Sequence, residues 1–515
     1  MRNKHFVSLS IFQIMAMFRR GIFYFFLSIY LKENLGVSNT EMTLYATLPM
    51  VANILTQSAV WGRISDKFQK RRLLIIFGEL YAAVGYIVVY FIHKNMAINK
   101  SLHAAAYTII IGFTIIEAGW SSSNLGWTAL IADLTKETER GKIMGRLQFI
   151  GGIGNILGVT ASGFLYLGGE GFSNGNLFFI SSGIMVFSII ALFLIPESYA
   201  ELEDSGVVPI NNAILNKNEE GMENKGKNNT VENPQKIRWE WQLFVWILVV
   251  LGIVNIGGNS INQMVSIYIR LPSTFAASDV IVAQLRNTSS IAIIIGGLLV
   301  GFLTKHFSDH TLLLVGFSFL FIGTLILPFA PSIVLIFVYM ALLGLSRVWI
   351  QTISYSMITK IIPLEIRGKM MGYYNAAFYL SWGLGGTLIT GPVADSIVDV
   401  NLVTLSIYVG FFIVSVCMWL ATFFISYFKL NKTKGIQMSS FSISFVFSVI
   451  VAFLFSQKIA NWISSGGNSD AYSYRVTFYI AALMIVIGML TYMLLRPEKF
   501  ELFKTKNKEK TKHKK

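Results

Sequence analysis

Residues 61–72 read WGRISDKFQKRR, from Trp61 to Arg72, and lie between two apolar runs of membrane length. Five bases, Arg63, Lys67, Lys70, Arg71 and Arg72, surround a single acid, Asp66. The stretch is too short to be a domain and too charged to lie in hydrocarbon. The positive-inside bias holds a basic loop of this kind on the cytoplasmic side. A lone carboxylate within it then needs a reason of its own.

The composition around this loop sets the class. Of 515 residues 54% are hydrophobic and 13% charged, and the mean hydropathy is +0.59. A water-soluble chain of that length could not cover such a surface. The fold expected is an all-α polytopic membrane protein. Runs of roughly 18 apolar residues or more span about 30 Å of hydrocarbon at 1.5 Å per residue. Fourteen such spans are read: 6–31, 42–62, 73–92, 104–132, 142–166, 177–195, 241–268, 280–303, 311–329, 333–359, 370–394, 402–428, 437–457 and 476–495. The polar stretch 196–238 divides them six and eight. The first span, opening at Phe6 without a small-residue cleavage site, reads as a retained helix. Cys417, the sole cysteine, excludes an intramolecular disulfide.

Orientation follows from Lys and Arg. An even number of spans puts both termini on one side, and a cytoplasmic N-terminus leaves 32 of the 42 basic residues inside. Lys32, Lys94, Lys100, Arg270, Lys458 and Arg475 fall outside, while Arg19, Arg20, Arg286 and Arg347 fall within spans. Both termini are thus expected in the cytoplasm of a multi-pass plasma-membrane protein. The net charge of +15 is topological and requires no nucleic acid. The basic tail, 499–515, reads as a solvated end, with anionic lipid headgroups as its other possible partner.

An internal repeat organises the rest. Arg140-Gly-Lys-Ile-Met-Gly145 returns as Arg367-Gly-Lys-Met-Met-Gly372, five of six residues identical at an offset of 227. Each copy follows a long span and opens a Gly-rich one. Two homologous six-span bundles are implied, a parallel-repeat construction. The domains expected are an N-terminal bundle at 1–195, a cytoplasmic linker at 196–238, and a C-terminal bundle at 239–498 with an extra hairpin near 402–457. The hairpin could instead be 437–495. Similarity between FFISSGIMVFSIIALFLIPE (178–197) and FYIAALMIVIGMLTYMLLRPE (478–498) favours insertion at 402–457, with the last span closing the bundle.

Motif, repeat, linker and span count together make the chain resemble a member of the major facilitator superfamily (MFS). Gly62, Asp66, Lys67, Lys70 and Arg71 match that family's loop between its second and third helices, while Gln69 stands where the family has glycine. The counterpart at 301–310, GFLTKHFSDH, keeps the Gly and puts Lys305 at the Asp position. The resemblance implies a fold of two six-helix bundles, here with about fourteen helices in all. It implies a cavity lined by the first, fourth, seventh and tenth helices. It also implies a cytoplasmic gate in which Asp66 faces the start of the eleventh helix near Arg367, with Arg140 as a cationic partner. The physics agrees: Gly62 permits close helix approach, and a carboxylate is favoured at a helix N-terminus. The plainer reading is a topogenic basic cluster alone.

Charges within spans locate function, since each is costly in lipid unless it faces a cavity or a partner. The candidate solute cavity comprises Arg19, Arg20, Glu117, Asn255, Asn259, Gln263, Arg286 and Arg347. Arg19 and Arg20 point about 100° apart, so one should line the cavity and the other make a structural pair. Subtracting the repeat offset places Arg347 level with Trp120, one helical turn from Glu117. Four arginines against one glutamate favour an anionic solute, and Glu117 is the candidate proton-coupling group. The competing reading makes these arginines bundle-holding partners of Glu117 or Glu79.

The function expected is secondary active transport of a small organic solute by alternating access, with protons as the candidate coupling ion. A drug/proton antiporter is one alternative. It is weakened because TIIEAGWSSSNLGW lacks the family's Arg-Gln-Gly in the fourth helix and GGIGNILGVTASGF lacks its Gly-Pro in the fifth. A non-transporting solute sensor is another. No enzyme motif, paired-His metal helix or P-loop is present in the sequence, so no cofactor or metal is expected. A monomer among membrane lipids is expected.

Overall fold

The computed structural model describes residues 3–68, 70–135, 137–195, 241–304, 306–362, 367–396 and 469–495. Among them every regular element is a helix. In lipid each backbone amide and carbonyl must be satisfied within its own segment, which long apolar runs achieve as helices. In chain order these are α1 (Asn3–Ile29), α2 (Asn39–Thr56), α3 (Gly62–Phe68), α4 (Arg71–Asn99), α5 (Leu102–Leu134), α6 (Glu137–Leu165), α7 (Glu170–Ser173) and α8 (Asn176–Leu192). The series continues with α9 (Trp241–Ser260), α10 (Asn262–Tyr268), α11 (Asp279–Leu303), α12 (Asp309–Ile326), α13 (Ile333–Ile361), α14 (Arg367–Gly385), α15 (Gly391–Ser396) and α16 (Ser469–Leu495). Wider π-type turns extend α1 at Tyr30–Asn34, α2 at Gln57–Trp61 and α14 at Gly386–Thr390. Among the described residues nine helices are long and apolar enough to cross a membrane, or ten if the bent pair Leu167–Ser173 and Asn176–Leu192 is one span.

Ser101 caps α5 by accepting the Ala104 amide, and Ser308 caps α12 by accepting that of Thr311. Both side chains satisfy donors that a helix start leaves orphaned. Between α7 and α8 the axis bends 58°. Gly175 carries the turn at φ 85°, where a Cβ would lie 2.5 Å from the Tyr90 ring.

The chain forms two compact units, residues 1–27 with 48–238 and residues 28–47 with 239–515. In the first, α4 packs on α5 and α8. One core joins Leu9 and Phe12 of α1 to Ile75, Leu130, Ile131, Leu147 and Leu192. Another gathers the rings of Phe23, Tyr86, Phe113, Phe172 and Phe178. In the second unit α13 packs on α11 and α12, and α16 on α9 and α12. Large apolar side chains such as Ile98, Phe187, Ile190 and Leu298 stay exposed, as a lipid-facing surface requires.

The stretch 28–47 belongs to the second unit because it is hydrogen-bonded there. Asp395 accepts the amides of Asn39 and Thr40 at 2.7 and 2.8 Å, the Asn39 Nδ2 at 2.9 Å and the Thr40 hydroxyl at 2.6 Å. It is thus the N-terminal cap of α2. Tyr474 donates its hydroxyl to Asn39 Oδ1, and Thr47 donates to the Gly383 carbonyl. Arg270 binds Glu33 through two nitrogens, at 2.8 and 2.9 Å, and also Asp279. Burial opposes the Arg270 charge, but Glu33 and Asp279 outweigh it and raise the guanidinium above its ordinary value.

The linker 196–238, the hairpin 402–457 and the tail 499–515 lie outside the described residues. Trp61–Arg72, read from sequence as a loop, is largely helical. The π turn at the end of α2 runs directly into α3, so the helix continues past the last apolar residue. Arg71 turns back to the Ser65 carbonyl and hydroxyl, and Arg72 donates to the Ile195 carbonyl at 2.7 Å.

Candidate functional site

In the first unit, charged side chains converge between the middles of α1, α4 and α5. Arg19 is buried at 4% exposure, its guanidinium 5.4 Å from the Trp120 ring and its Nη1 3.4 Å from the Tyr86 hydroxyl. Glu79, buried at 1%, accepts from Trp120 Nε1 and Ser123 Oγ, each at 2.8 Å. Glu117 is half-buried and accepts from Asn53 Nδ2 at 2.8 Å, within electrostatic reach of Arg20 and then of Arg19. Arg19 in turn feels Glu79 and Glu117. Adjacent on α1, the two arginines diverge as helical spacing demands, with Arg19 buried and Arg20 exposed. Two arginines therefore share a cluster with two carboxylates, and its formal charge is balanced.

The second unit differs. Arg347, near the middle of α13, donates to Asn259 Oδ1 at 3.3 Å, and Arg286 of α11 donates to Asn262 Oδ1 at 3.3 Å. The groups acting electrostatically on Arg347 are Arg286, of like sign, and the Tyr339 hydroxyl. Tyr339 is wholly buried and its hydroxyl has no hydrogen-bond partner. Gln263 Oε1 is likewise buried and unpartnered. Asn255 serves its own helix, donating to the Leu251 carbonyl at 2.8 Å. A guanidinium at the bilayer centre costs about 2.5 to 3.5 kcal/mol on insertion scales. For Arg347 the neutral Asn259 amide at 3.3 Å offsets little of that.

Of the gate residues, Gly62 opens α3, where a Cβ would lie 3.2 Å from the Gln57 carbonyl oxygen. Lys67 extends over the Phe68 ring at 5.5 Å, and Lys70 is exposed at the start of α4. Asp66 is on α3, Arg140 on the first turn of α6 and Arg367 at the first position of α14. The side chains of these three lie outside the described residues. No group of three or more metal-ligating side chains occurs among the described residues.

Glu79, Asn53, Tyr86 and Tyr339 were not singled out as site residues from sequence. Glu79 carried a usable signal, an acid eight residues into an otherwise apolar helix. The other three are ordinary in a membrane span, and only tertiary packing brings them to the charges.

The described residues are thus all-helical in their regular structure, with spans of membrane length that carry charged side chains near their middles. The chain belongs to the Major Facilitator Superfamily, whose family model matches residues 9–386. It is 22% identical, over 72% of its length and 82% of the relative's, to a multi-drug resistance efflux pump PmrA homolog of Lactococcus lactis subsp. lactis (strain IL1403). The fold matches the nucleoside transporter NupG at TM-score 0.58 and 11% identity, covering 96% of this chain and 100% of that one. It also matches a D-xylose–proton symporter at TM-score 0.56 and 15% identity, over 75% of this chain and 89% of that one. The protein is therefore a membrane transporter and not an enzyme.

Proposed function

We propose that this transporter moves a small organic solute by alternating access, driven by protons and biased to anionic substrates. The observation that carries this reading is the Glu117 environment. A carboxylate in mid-span is held by the neutral Asn53 amide while two arginines compete for its charge. Rearrangement of that cluster would change which protonation state is favoured, because desolvation and a nearby cation act on a carboxylate in opposite senses. Arg19, Arg20, Asn259, Gln263, Arg286 and Arg347 serve the solute cavity in this reading. Asp66 with Gly62, Lys67, Lys70, Arg71, Arg140 and Arg367 serves a cytoplasmic gate. Both termini face the cytoplasm of a plasma-membrane monomer.

The test is uptake into proteoliposomes of organic anions, cations and neutral solutes, with and without an imposed pH gradient. Gradient-dependent flux that Glu117→Gln uncouples supports the reading. Solute binding with no flux of any class would sink it in favour of a sensor. A drug/proton antiporter is the second reading, favoured by the 22% identity to an efflux pump homolog. Proton-driven expulsion of hydrophobic cations, with anions untouched, would select it.

A further inference from the structure

Glu79 lies in the first unit and has no part in the transport reading above. Its residue is 1% exposed, and a single carboxylate oxygen, Oε1, accepts from both Trp120 Nε1 and Ser123 Oγ at 2.8 Å. Trp120 and Ser123 stand one helical turn apart on α5, so both donors leave the same face. The two helices close tightly there. A Cβ on Gly78, the neighbour of Glu79, would lie 2.7 Å from the Ser123 amide nitrogen, and one on Gly119, the neighbour of Trp120, would lie 2.2 Å from the Tyr81 ring. The lack of both side chains fixes the register between the carboxylate and its donors, and the indole is held by its edge.

The face of the same indole takes the Arg19 guanidinium at 5.4 Å, within the range of a cation–π contact. Arg19 Nη1 donates to the Tyr86 hydroxyl at 3.4 Å, and the Tyr86 ring is itself packed against Phe23 and Phe113. Among the described residues Arg19 makes no ion pair with Glu79 or Glu117, although both lie within electrostatic reach. Its Nε is buried without a hydrogen-bond partner, on a residue only 4% exposed. Buried donors are nearly always paired, so this one marks a place for an acceptor that the chain does not supply. Resting on the transport reading above, in which Arg19 serves the solute, we infer that Glu79 is a positioning residue of the solute site: it aims Trp120, and the indole face holds Arg19 with its Nε–H edge open to a carboxylate or phosphate oxygen of the solute. Carboxylate, indole and guanidinium form one chain of contacts. Linked polar groups polarise one another, so the acid at the indole edge strengthens the pull of the face on the cation. Glu79 bound to the indole is not bound to Arg19 directly, and the edge that a direct pair would occupy stays open.

The test uses the full chain in detergent, labelled with nitrogen-15 at tryptophan Nε1 and arginine Nε and observed by NMR. The Trp120 and Arg19 signals are the ones lost in Trp120→Phe and Arg19→Lys. Inorganic phosphate and benzoate are titrated, with glucose and tetraphenylphosphonium as neutral and cationic probes. Phosphate or benzoate should move the Arg19 Nε proton downfield, as a newly acquired charged acceptor does, and the stronger of the two tells which oxygen acid is preferred. Glu79→Leu should move the Trp120 Nε1 proton upfield with no probe present. Glu79→Leu and Trp120→Phe should also raise the acid concentration for half effect at Arg19 by about fivefold or more, the worth of one buried hydrogen bond. Glu79→Gln, whose amide oxygen still accepts from the indole, should recover most of that loss. Charge alone predicts the opposite for Glu79→Leu, because removing a negative group beside Arg19 tightens acid binding. Trp120→Phe keeps a ring and loses only the tie to Glu79, so it answers the question if Glu79→Leu fails to fold. An acid response at Arg19 that Glu79→Leu tightens, or that ignores both Glu79→Leu and Trp120→Phe, overturns the positioning role and leaves anion binding at Arg19 standing. Silence of Arg19 toward both acids, or a response to glucose or tetraphenylphosphonium in their place, overturns the inference together with the anionic bias. Flux of a neutral or cationic solute in proteoliposomes would then keep transport itself intact.

Discussion

Thr40 gives both its backbone amide and its hydroxyl to the carboxylate of Asp395, at 2.8 and 2.6 Å, although 355 residues separate them. With the two bonds from Asn39, one side chain caps a helix that begins far away in sequence. Removing such a cap costs about 1 to 2 kcal/mol. In Asp395→Ala, amide hydrogens of residues 39–43 should exchange about five- to thirtyfold faster, measured by hydrogen–deuterium exchange mass spectrometry. Asp395→Asn should fall between, since it keeps an acceptor and loses the charge that favours a helix N-terminus. Exchange unchanged in both variants would show that Tyr474 and the Thr47–Gly383 bond hold the segment without Asp395.

Glu117→Gln preserves an oxygen acceptor for Asn53 and removes the charge facing Arg20 and Arg19. Uptake driven by a pH gradient should fall by about tenfold or more, while solute counterflow without a gradient stays within about twofold, the pattern of a lost proton-transfer group in an intact carrier. Equal loss of both activities would make Glu117 a structural residue.

Arg270, beyond the end of one span, ties to Glu33 and Asp279 at the ends of two others, with side-chain exposures of 14%, 33% and 19%. Partly exposed pairs are worth about 1 kcal/mol or less singly and more when bidentate or networked. Arg270→Lys should therefore lower the unfolding temperature nearly as much as Arg270→Ala, since an ammonium cannot make the two-nitrogen contact with Glu33. The penalty should shrink as salt is raised from low ionic strength to about 1 M. A penalty independent of salt would mean that the aliphatic stem of Arg270 matters and its charge does not.

On α6, Gly158 lies so close to α1 that a Cβ would sit 2.1 Å from the Phe18 carbonyl oxygen, and at Gly154 it would sit 2.4 Å from that of Ile14. The obstacle is backbone, which cannot rotate away. Gly158→Ala should cost about 1 to 3 kcal/mol by overpacking, read as lost expression or a lower unfolding temperature. Gly145→Ala on the same helix meets nothing within 4 Å and should be tolerated.

Much of this architecture is legible from residue order, and the part that is not has a physical cause. Span length and polarity locate α4, α5, α9, α11, α12 and α13 closely, because hydrocarbon thickness is a one-dimensional constraint. The two Arg-Gly-Lys-x-Met-Gly copies do fall in the first turns of α6 and α14. Four features stay hidden. The π turns leave no periodic trace in sequence. The 177–195 span gives no sign of the bend before α8, which depends on a left-handed glycine at position 175. Asn255, read as a cavity donor, bonds four residues back along its own helix, an option open to any helical amide. Glu79, read only as a partner for arginine, turns out to hold Trp120 and Ser123. Which acid meets which base depends on helix rotation, and that is set by packing across the bundle.

Arg347 also has an electrical meaning. A guanidinium held in mid-span by a neutral amide is a charge on which a membrane potential can do work, about 2.3 kcal/mol per elementary charge for each 100 mV fully crossed. Any rearrangement that carried it through part of that field would make that step depend on voltage.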